Sequence, residues 1–158
     1  MSELIIRPGQ EKDVSGLLAL IVELAIYEKE PEAVVVTEEM LLQDCFGEKA
    51  VANFLVAEKD QMVVGIALYY PKYSTWKGRC LFLEDLVVSE KHRRQGIGEA
   101  LFDELMALAG REKAMRLEWQ VFDWNEPAIK FYKKLNAQLD SEWINCKFDK
   151  DQIQQYQS

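Results

Sequence analysis

The sequence predicts one mixed α/β domain, in which strand-like segments alternate with amphipathic helices. A chain of 158 residues fits a single domain, which we expect to span residues 1–158. About half of the residues (49%) are apolar, and 4 Trp, 6 Tyr and 7 Phe contribute to them, so the chain can bury a substantial core. The alternation of strands and helices favours a sheet flanked by helices.

The first half of the chain is predicted to form two helices among several strands. One helix runs from about Asp13, because apolar residues recur there at helical spacing. Thr37 predicts the start of a second helix, and Gly47 its end. Pro71 predicts the end of a strand. Strands are predicted at residues 4–7, 54–57, 63–70 and 80–88.

The second half contains the most regular helical pattern in the chain. Gly110 is predicted to end this helix, and its apolar face is formed by Ile97, Leu101, Leu105 and Leu108. Asn125 is a favoured capping residue, and Pro127 suits the first turn of the helix that follows it. Two more strands are predicted at residues 117–122 and 143–148.

The composition excludes some classes of function. With 27 acidic and 19 basic residues, the formal net charge is -8, which disfavours binding to nucleic acid or to an anionic membrane surface. Three distant cysteines and a single histidine show no zinc spacing, so no metal site and no disulfide framework are predicted. A reducing compartment fits this cysteine usage. Since no apolar stretch is long enough for a signal peptide or a membrane span, we expect a cytoplasmic location.

The loop Arg93–Gly98 indicates a phosphate-binding site. It follows an apolar strand and opens a helix, whose first backbone N–H groups have no partners within the helix. Glycines allow a phosphate to approach the backbone closely. The alternative is a glycine turn with solvated arginines. A Walker loop is excluded because no Gly-Lys-Ser/Thr follows, and a dinucleotide fingerprint is weak because Leu101 occupies the third glycine position.

Glu84 and Asp85 interrupt an otherwise apolar strand. Neighbours on a regular strand point to opposite faces, and buried carboxylates are costly unless they are paired or solvated. We therefore expect at least one of them to line a cleft. A structural ion pair or a cap is the alternative.

Taken together, several segments resemble the GNAT acetyltransferase superfamily. The superfamily resemblance is carried by Arg93–Gly98, Asn125–Ala128 and Phe131–Tyr132. Further segments resemble the diamine (spermidine/spermine) N-acetyltransferase branch: Glu23–Glu28, Tyr69–Tyr70, Trp76–Gly78, Leu83–Asp85 and Trp124–Pro127. The resemblance implies a mixed central sheet of about six to seven strands, acetyl-CoA as cosubstrate without a metal, and a homodimer.

The resemblance also implies a role for each matching residue. Backbone groups of Leu86, Val87 and Val88 would pair with the pantetheine arm of acetyl-CoA. The pyrophosphate would be held by Arg93, Arg94, Gln95, Gly96, Ile97, Gly98 and Glu99, and further cofactor contacts would come from Asn125, Ala128 and Tyr132. Catalysis would depend on Tyr132 as the acid for the leaving thiolate and on Glu84 as the acceptor of the amine proton through water. The amine would be bound by Tyr27, Glu28, Glu84, Asp85 and Trp76.

From the residues alone, some of these roles have alternatives. Tyr132 is better explained as a core aromatic residue, Trp76 fits a loop anchor, and Glu28 belongs to a run of solvated charges. The cysteines resemble core or surface residues rather than nucleophiles, which disfavours an acetyl-cysteine intermediate. We therefore expect direct transfer within a ternary complex.

The predicted substrate is a primary amine on a small cation. Ser74 stands where the polyamine enzymes carry an acid, and Lys72 and Lys77 add positive charge nearby. These departures favour a short diamine or a lysine-like amino acid such as thialysine over spermine. The alternatives are an enzyme that acetylates a protein lysine or N-terminus, and a non-catalytic CoA-binding sensor.

Overall fold

The computed structural model describes residues 2–156, which divide into two compact units after Gln120. The first unit contains five strands: β1 (Ile5–Pro8), β2 (Asn53–Lys59), β3 (Met62–Ser74), β4 (Gly78–Val88) and β5 (Leu117–Trp119). It also contains the helices α1 (Val14–Tyr27), α2 (Glu38–Phe46) and α3 (Ile97–Arg111). The second unit contains α4 (Glu126–Lys134) and α5 (Lys150–Tyr156).

The strands form one mixed sheet in sequence order, β1-β2-β3-β4-β5. Neighbouring strands are antiparallel except for β4 and β5, which are parallel. A parallel pair needs a crossover connection, and α3 provides it between these two strands. The prediction of a mixed sheet flanked by helices is therefore confirmed, with five strands among residues 2–156 in place of about six to seven.

The core of the first unit lies between the sheet and its helices. Leu17 of α1 and Leu101 and Leu105 of α3 are fully buried, as are Val56 and Ile66 of the sheet. Burying a side chain of this size contributes about 1.5–3 kcal/mol. These contacts fix α1 and α3 on the sheet and so determine where their ends, which carry the candidate site, are located.

The sequence signals at the helix ends are confirmed for α2 and α4, whereas α3 continues past Gly110, its predicted end, to Arg111. The side chain of Thr37 accepts a hydrogen bond from the Met40 amide at 3.2 Å, and Gly47 follows the last turn of α2. Asn125 caps α4 in the same way, since its Oδ1 accepts from the Ala128 amide at 3.4 Å. In both cases a polar side chain satisfies an N–H that has no partner within the helix.

The prediction that a strand ends at Pro71 was wrong, because β3 continues to Ser74. The pairing between β2 and β3 stops at Tyr69, whereas the pairing between β4 and β3 continues to Ser74. Beyond Tyr69, β3 therefore has a strand neighbour on one side only. A proline without an N–H is tolerated at such an edge position.

The prediction of a last strand at residues 143–148 was also wrong, since no strand is assigned there. Trp143, Ile144 and Phe148 are strongly exposed. The backbone is held locally instead, because the carboxylate of Asp140 accepts from the Glu142 amide and from Trp143 Nε1. An alternating pattern yields a strand only where a partner supplies the ladder of hydrogen bonds. The strand predicted at 117–122 likewise ends at Trp119, and α5 was not predicted.

Candidate active site

The two acids of β4 lie at a β-bulge. Asp85 is opposite Leu68 and Leu83 is opposite Tyr69, so Glu84 is an extra residue between two neighbouring pairs. A bulge breaks the regular alternation of a strand and redirects side chains. The two carboxylates are close enough for the charge of Glu84 to raise the pKa of Asp85. The bulge therefore removes the reason to expect these two neighbours to point to opposite faces.

Asp85 is the most strongly perturbed acid of this cluster. Burial, and then the negative charges of Glu84 and Glu28, raise its pKa to about 6. Burial also raises the pKa of Glu28, which directly follows α1. The structure thus brings together the three acids that the sequence analysis assigned to the amine site. Burial and the neighbouring negative charges both disfavour the charged form of Asp85, and an entering cation would favour that form.

Tyr70 is a residue of this cluster to which the sequence analysis gave no role. Its hydroxyl donates a 2.8 Å hydrogen bond to Glu84 Oε2, and its ring stacks on Phe82 at 5.4 Å between centroids. Burial, the hydrogen bond to Glu84 and the charges of Glu84 and Asp85 all raise the pKa of Tyr70. The phenol therefore remains a donor to Glu84 across the working pH range. In the sequence, the doublet Tyr69–Tyr70 carries only a family resemblance. The contact of Tyr70 with Glu84 depends on the pairing of β3 with the bulge, which no local sequence pattern indicates.

Tyr27 and Trp76, the aromatic residues assigned to the amine site, occupy different environments. Tyr27 is the last residue of α1 and is 39% exposed, with the guanidinium of Arg93 5.5 Å from its ring centroid. Trp76 lies in the turn between β3 and β4 and is 86% exposed. The Ser74 hydroxyl accepts hydrogen bonds from the Trp76 and Lys77 amides at 3.2 and 3.1 Å. The turn is thus ordered, while the indole is available to a ligand.

The glycine loop has the geometry of an anion-binding helix start. Gly96 caps α3 with φ +78°, and Arg94 also has a positive φ of 63°. Positive φ is disfavoured for residues with a Cβ, and such strain is typical of functional sites. Ile97 is 2% exposed, so its side chain belongs to the core and only its backbone is left to contact a ligand. Glu99 lies in the first turn of α3.

Two further side-chain contacts lie in or next to this loop. Lys59 at the end of β2 donates a 2.9 Å hydrogen bond to Gln95 Oε1. Ser89 Oγ and His92 Nδ1 are 2.7 Å apart just before the loop. Lys59 thus brings a cation to the loop, which no local sequence pattern indicated because the two residues are distant in sequence.

The end of β4, just before the glycine loop, has one edge without a strand neighbour. Leu86, Val87 and Val88 pair with β3 on one side. On the other side β5 pairs only with Leu81–Leu83, and beyond that point no strand of the described residues 2–156 covers this edge. Arg93 Nε donates to the Val88 carbonyl at this edge, at 3.2 Å. Backbone groups that no strand covers can receive an extended chain with amide groups, in the manner of an added strand.

The second unit contains the other predicted residues. Asn125 is buried at the start of α4, and the Ala128 amide donates the capping hydrogen bond to its side chain. Tyr132 lies later on α4 and is partly buried, with its ring edge-on to Phe131 at 5.4 Å and 65°. Here the positions agree with the predicted helix, and the roles of the three residues remain proposals.

Two kinds of feature are absent from the part of the chain that the structure describes. Within it, no group of three or more His, Cys, Asp or Glu side chains is placed to hold a metal ion. No helix there has both the length and the apolar character needed to cross a membrane.

Comparison with known proteins decides the family. The family model described as Acetyltransferase (GNAT) family matches residues 20–137. The chain belongs to this family. It is an N-acetyltransferase, and the resemblance to the GNAT superfamily is confirmed. Enzymes of the GNAT family use acetyl-CoA as acetyl donor.

Curated relatives of this GNAT enzyme belong to the predicted branch. It is 41% identical over 156 residues to the thialysine N-epsilon-acetyltransferase of Bos taurus, covering 92% of each chain. It is 37% identical to the enzyme of that name from Mus musculus, covering 94% of each chain. It is also 32% identical to the human spermidine/spermine N(1)-acetyltransferase-like protein 1, covering 94% of this chain and 23% of that protein.

Solved structures show the same fold. An integron cassette protein from the mobile metagenome of V. cholerae superposes with a TM-score of 0.80 at 25% identity, covering 98% of this GNAT chain and 97% of the other. An aminoglycoside acetyltransferase from a soil metagenome superposes with a TM-score of 0.76 at 18% identity, covering 92% and 95%. The second similarity concerns the fold alone.

Proposed function

We propose that this enzyme transfers the acetyl group of acetyl-CoA to a primary amine of a small cationic molecule. The preferred substrates are lysine-like amino acids such as thialysine and short diamines. The observation that carries this proposal is the cluster of Glu28, Glu84 and Asp85, in which the charges of the other two acids raise the pKa of Asp85. A cation that enters this cluster relieves the repulsion among the carboxylates. The names of the curated relatives support the same substrate class.

Binding of acetyl-CoA is assigned to the glycine loop and to the end of β4. The N–H groups at the start of α3 and the positive end of its dipole suit a pyrophosphate. The amide groups of the pantetheine arm match the open backbone edge of Leu86–Val88. Asn125, Ala128 and Tyr132 complete the proposed cofactor contacts. No metal takes part in this proposal.

The reaction needs a neutral amine, whereas a primary amine is mostly protonated near neutral pH. In our proposal Glu84 accepts the proton, through water, while Asp85 and Glu28 hold the cationic part of the substrate. The amine nitrogen then attacks the thioester carbonyl, and the C–S bond breaks as the tetrahedral intermediate collapses. Tyr132 gives its proton to the leaving thiolate. The nitrogen loses two protons in all: the first goes to Glu84, and the second leaves the tetrahedral intermediate and returns through water to the Tyr132 phenolate. Atoms and charge then balance, since ammonium and acetyl-CoA give the amide, CoA-SH and one proton held by Glu84.

We further propose that residues 1–158 act as one catalytic domain, in the cytoplasm and as a homodimer. The three free cysteines, Cys45, Cys80 and Cys146, suit a reducing compartment. Trp143, Ile144 and Phe148 offer apolar surface for subunit contact. Light scattering during gel filtration measures the oligomeric state directly.

The test is CoA release from acetyl-CoA with thialysine, lysine, putrescine, spermidine, spermine and a lysine-containing peptide as acceptors. We expect turnover with thialysine or a short diamine that exceeds turnover with the peptide by an order of magnitude or more. Turnover with the peptide alone would instead indicate a protein acetyltransferase. Acetyl-CoA binding without turnover on any acceptor would indicate a sensor, and either result would overturn the proposed substrate class.

A further inference from the structure

Glu23 connects helix α1 to the turn that precedes the glycine loop. Its Oε1 accepts a 2.7 Å hydrogen bond from the backbone N–H of Glu90. Glu90 begins the 3-10 turn Glu90–His92, and Arg93 directly follows that turn. A carboxylate that accepts from a backbone N–H makes a charge-assisted bond, which is stronger than one between neutral groups. The Glu23 carboxylate therefore fastens the start of the proposed cofactor loop to α1.

Arg93 strengthens the same connection from the loop side. Its Nη2 lies 3.8 Å from Glu23 Oε1, and its Nε donates to the Val88 carbonyl at 3.2 Å. The guanidinium also lies over the Tyr27 ring, 5.5 Å from the centroid, which is within the range of a cation–π interaction. The ion pair is partly exposed and contributes little by itself. The Arg93 side chain nevertheless contacts both the end of β4 and the end of α1.

The end of α1 reaches the acidic cluster. Tyr27 is the last residue of the helix and Glu28 follows it. Glu28 is close enough to Asp85 to raise the pKa of that carboxyl. Contacts of Glu23 and Arg93 thus join the glycine loop to the end of α1, and the charge of Glu28 at that end acts on Asp85.

We propose that Glu23 is a positioning residue that clamps the glycine loop to α1 and thereby couples acetyl-CoA binding to the order of the amine site. This inference rests on the proposed function. When acetyl-CoA fixes the loop, the clamp restricts local opening at the end of α1, so Tyr27 and Glu28 are held in place for the amine. Reciprocity then requires that a bound amine tightens the binding of acetyl-CoA. In this role Glu23 acts through the loop and α1 rather than on a reactant.

Hydrogen–deuterium exchange of the full chain tests the clamp with CoA as the only added ligand. The amides of Glu28 and Glu30 donate to the carbonyls of Leu24 and Ala25, each at 2.8 Å. Their exchange therefore reports the opening of the end of α1. Peptides that cover residues 93–98 report cofactor binding independently.

Three variants accompany the wild type. Glu23→Ala removes both contacts, whereas Glu23→Gln keeps an oxygen that can accept from the Glu90 amide and loses only the charge. Glu32→Ala is the matched control, because Glu32 is an exposed acid after the end of α1. Thermal melting without ligand verifies that each variant is folded.

In the wild type and in Glu32→Ala, we expect CoA to slow exchange about fivefold or more at residues 28–30, the lower end of usual coupling. In Glu23→Ala, slowing should persist at residues 93–98 and disappear at 28–30, while Glu23→Gln should retain part of it. Slowing at the loop alone in the wild type, or an equal response of Glu23→Ala and wild type, would overturn the clamp. No slowing at residues 93–98 in the wild type would overturn the proposed cofactor site, and the clamp with it.

Discussion

The hydroxyl of Tyr70 donates a 2.8 Å hydrogen bond to Glu84 Oε2, across the bulge that separates Leu83 from Asp85 on β4. A carboxylate at a bulge is less constrained by its own strand than one at a regular position. The phenol therefore orients the proposed proton acceptor from the neighbouring strand.

Tyr70→Phe should lower kcat/KM for the amine by about tenfold, because a hydrogen bond to a charged group contributes about 1.5–3 kcal/mol. The KM for acetyl-CoA should remain unchanged, since Tyr70 lies at the acidic cluster rather than at the glycine loop. Steady-state kinetics with each substrate varied in turn measures both values. Tyr73→Phe is the control, because Tyr73 is a strongly exposed tyrosine of the same strand. Equal kcat/KM values in the wild type and in Tyr70→Phe would show that Glu84 needs no such support.

The acidic cluster also predicts a pH dependence of amine binding. Burial and the charges of Glu84 and Glu28 raise the pKa of Asp85 to about 6. Below that pH Asp85 is neutral and attracts an ammonium group less, so KM for the amine should rise as the pH falls from 7 to 5. Asp85→Asn should have a higher KM at pH 7 and should lack the step near pH 6. A step of equal size in Asp85→Asn would assign the titration to another group.

The same shift predicts that Asp85 destabilises the folded protein at neutral pH. The pKa rises from 3.8 to about 6, so the folded state binds the proton more tightly than the unfolded state does. Stability is then fully present at low pH and falls as the pH rises from about 4 to 6. Asp85→Asn should raise the free energy of unfolding at pH 7.5 by roughly 1–3 kcal/mol, with no gain at pH 4. Urea unfolding at the two pH values measures this, and an equal gain at both would contradict the shift.

Gly96 and Gly110 at the two ends of α3 form a matched pair of substitutions. Neither position has an atom within 4 Å of an added Cβ, but Gly96 has a φ of +78° and Gly110 does not have a positive φ. Gly96→Ala should cost about 1–2 kcal/mol of stability and weaken acetyl-CoA binding. Gly110→Ala should stabilise by up to about 1 kcal/mol, with unchanged binding. Urea unfolding and calorimetric titration with CoA give these values, and identical behaviour of the two variants would exclude strain at Gly96.

These cases also show which features local sequence patterns can predict. The start of α3 was predictable, because a glycine loop before an amphipathic helix is a local pattern. The caps at Thr37 and Asn125 are local as well. The bulge at Glu84 was not predictable, because it depends on the register between β3 and β4. The role of Tyr70 and the contact between Glu23 and Glu90 follow from strand pairing and helix packing between residues far apart in sequence.

The prediction of a strand at residues 143–148 failed for a related reason. Aromatic and β-branched residues favour a strand, yet that preference depends on a neighbouring strand and on burial. In this structure Trp143 is 79% exposed and Ile144 is 86% exposed. Intrinsic preference alone therefore did not produce a sixth strand.

The proposed acid, Tyr132, gives the most direct test of the chemistry. Tyr132→Phe keeps the ring that packs edge-on against Phe131 at 5.4 Å, so α4 should remain folded. Loss of the proton donor should lower kcat by on the order of 10² or more, while KM for acetyl-CoA changes less than about twofold. A loss confined to kcat indicates an interaction made only in the transition state.

The control for Tyr132→Phe is Tyr156→Phe, because Tyr156 is a strongly exposed tyrosine of the same unit. Calorimetric titration with CoA verifies that both variants bind the cofactor as the wild type does. Full turnover by Tyr132→Phe would assign protonation of the thiolate to water or to another group. A parallel loss of CoA affinity and turnover would instead make Tyr132 a packing residue of the cofactor site.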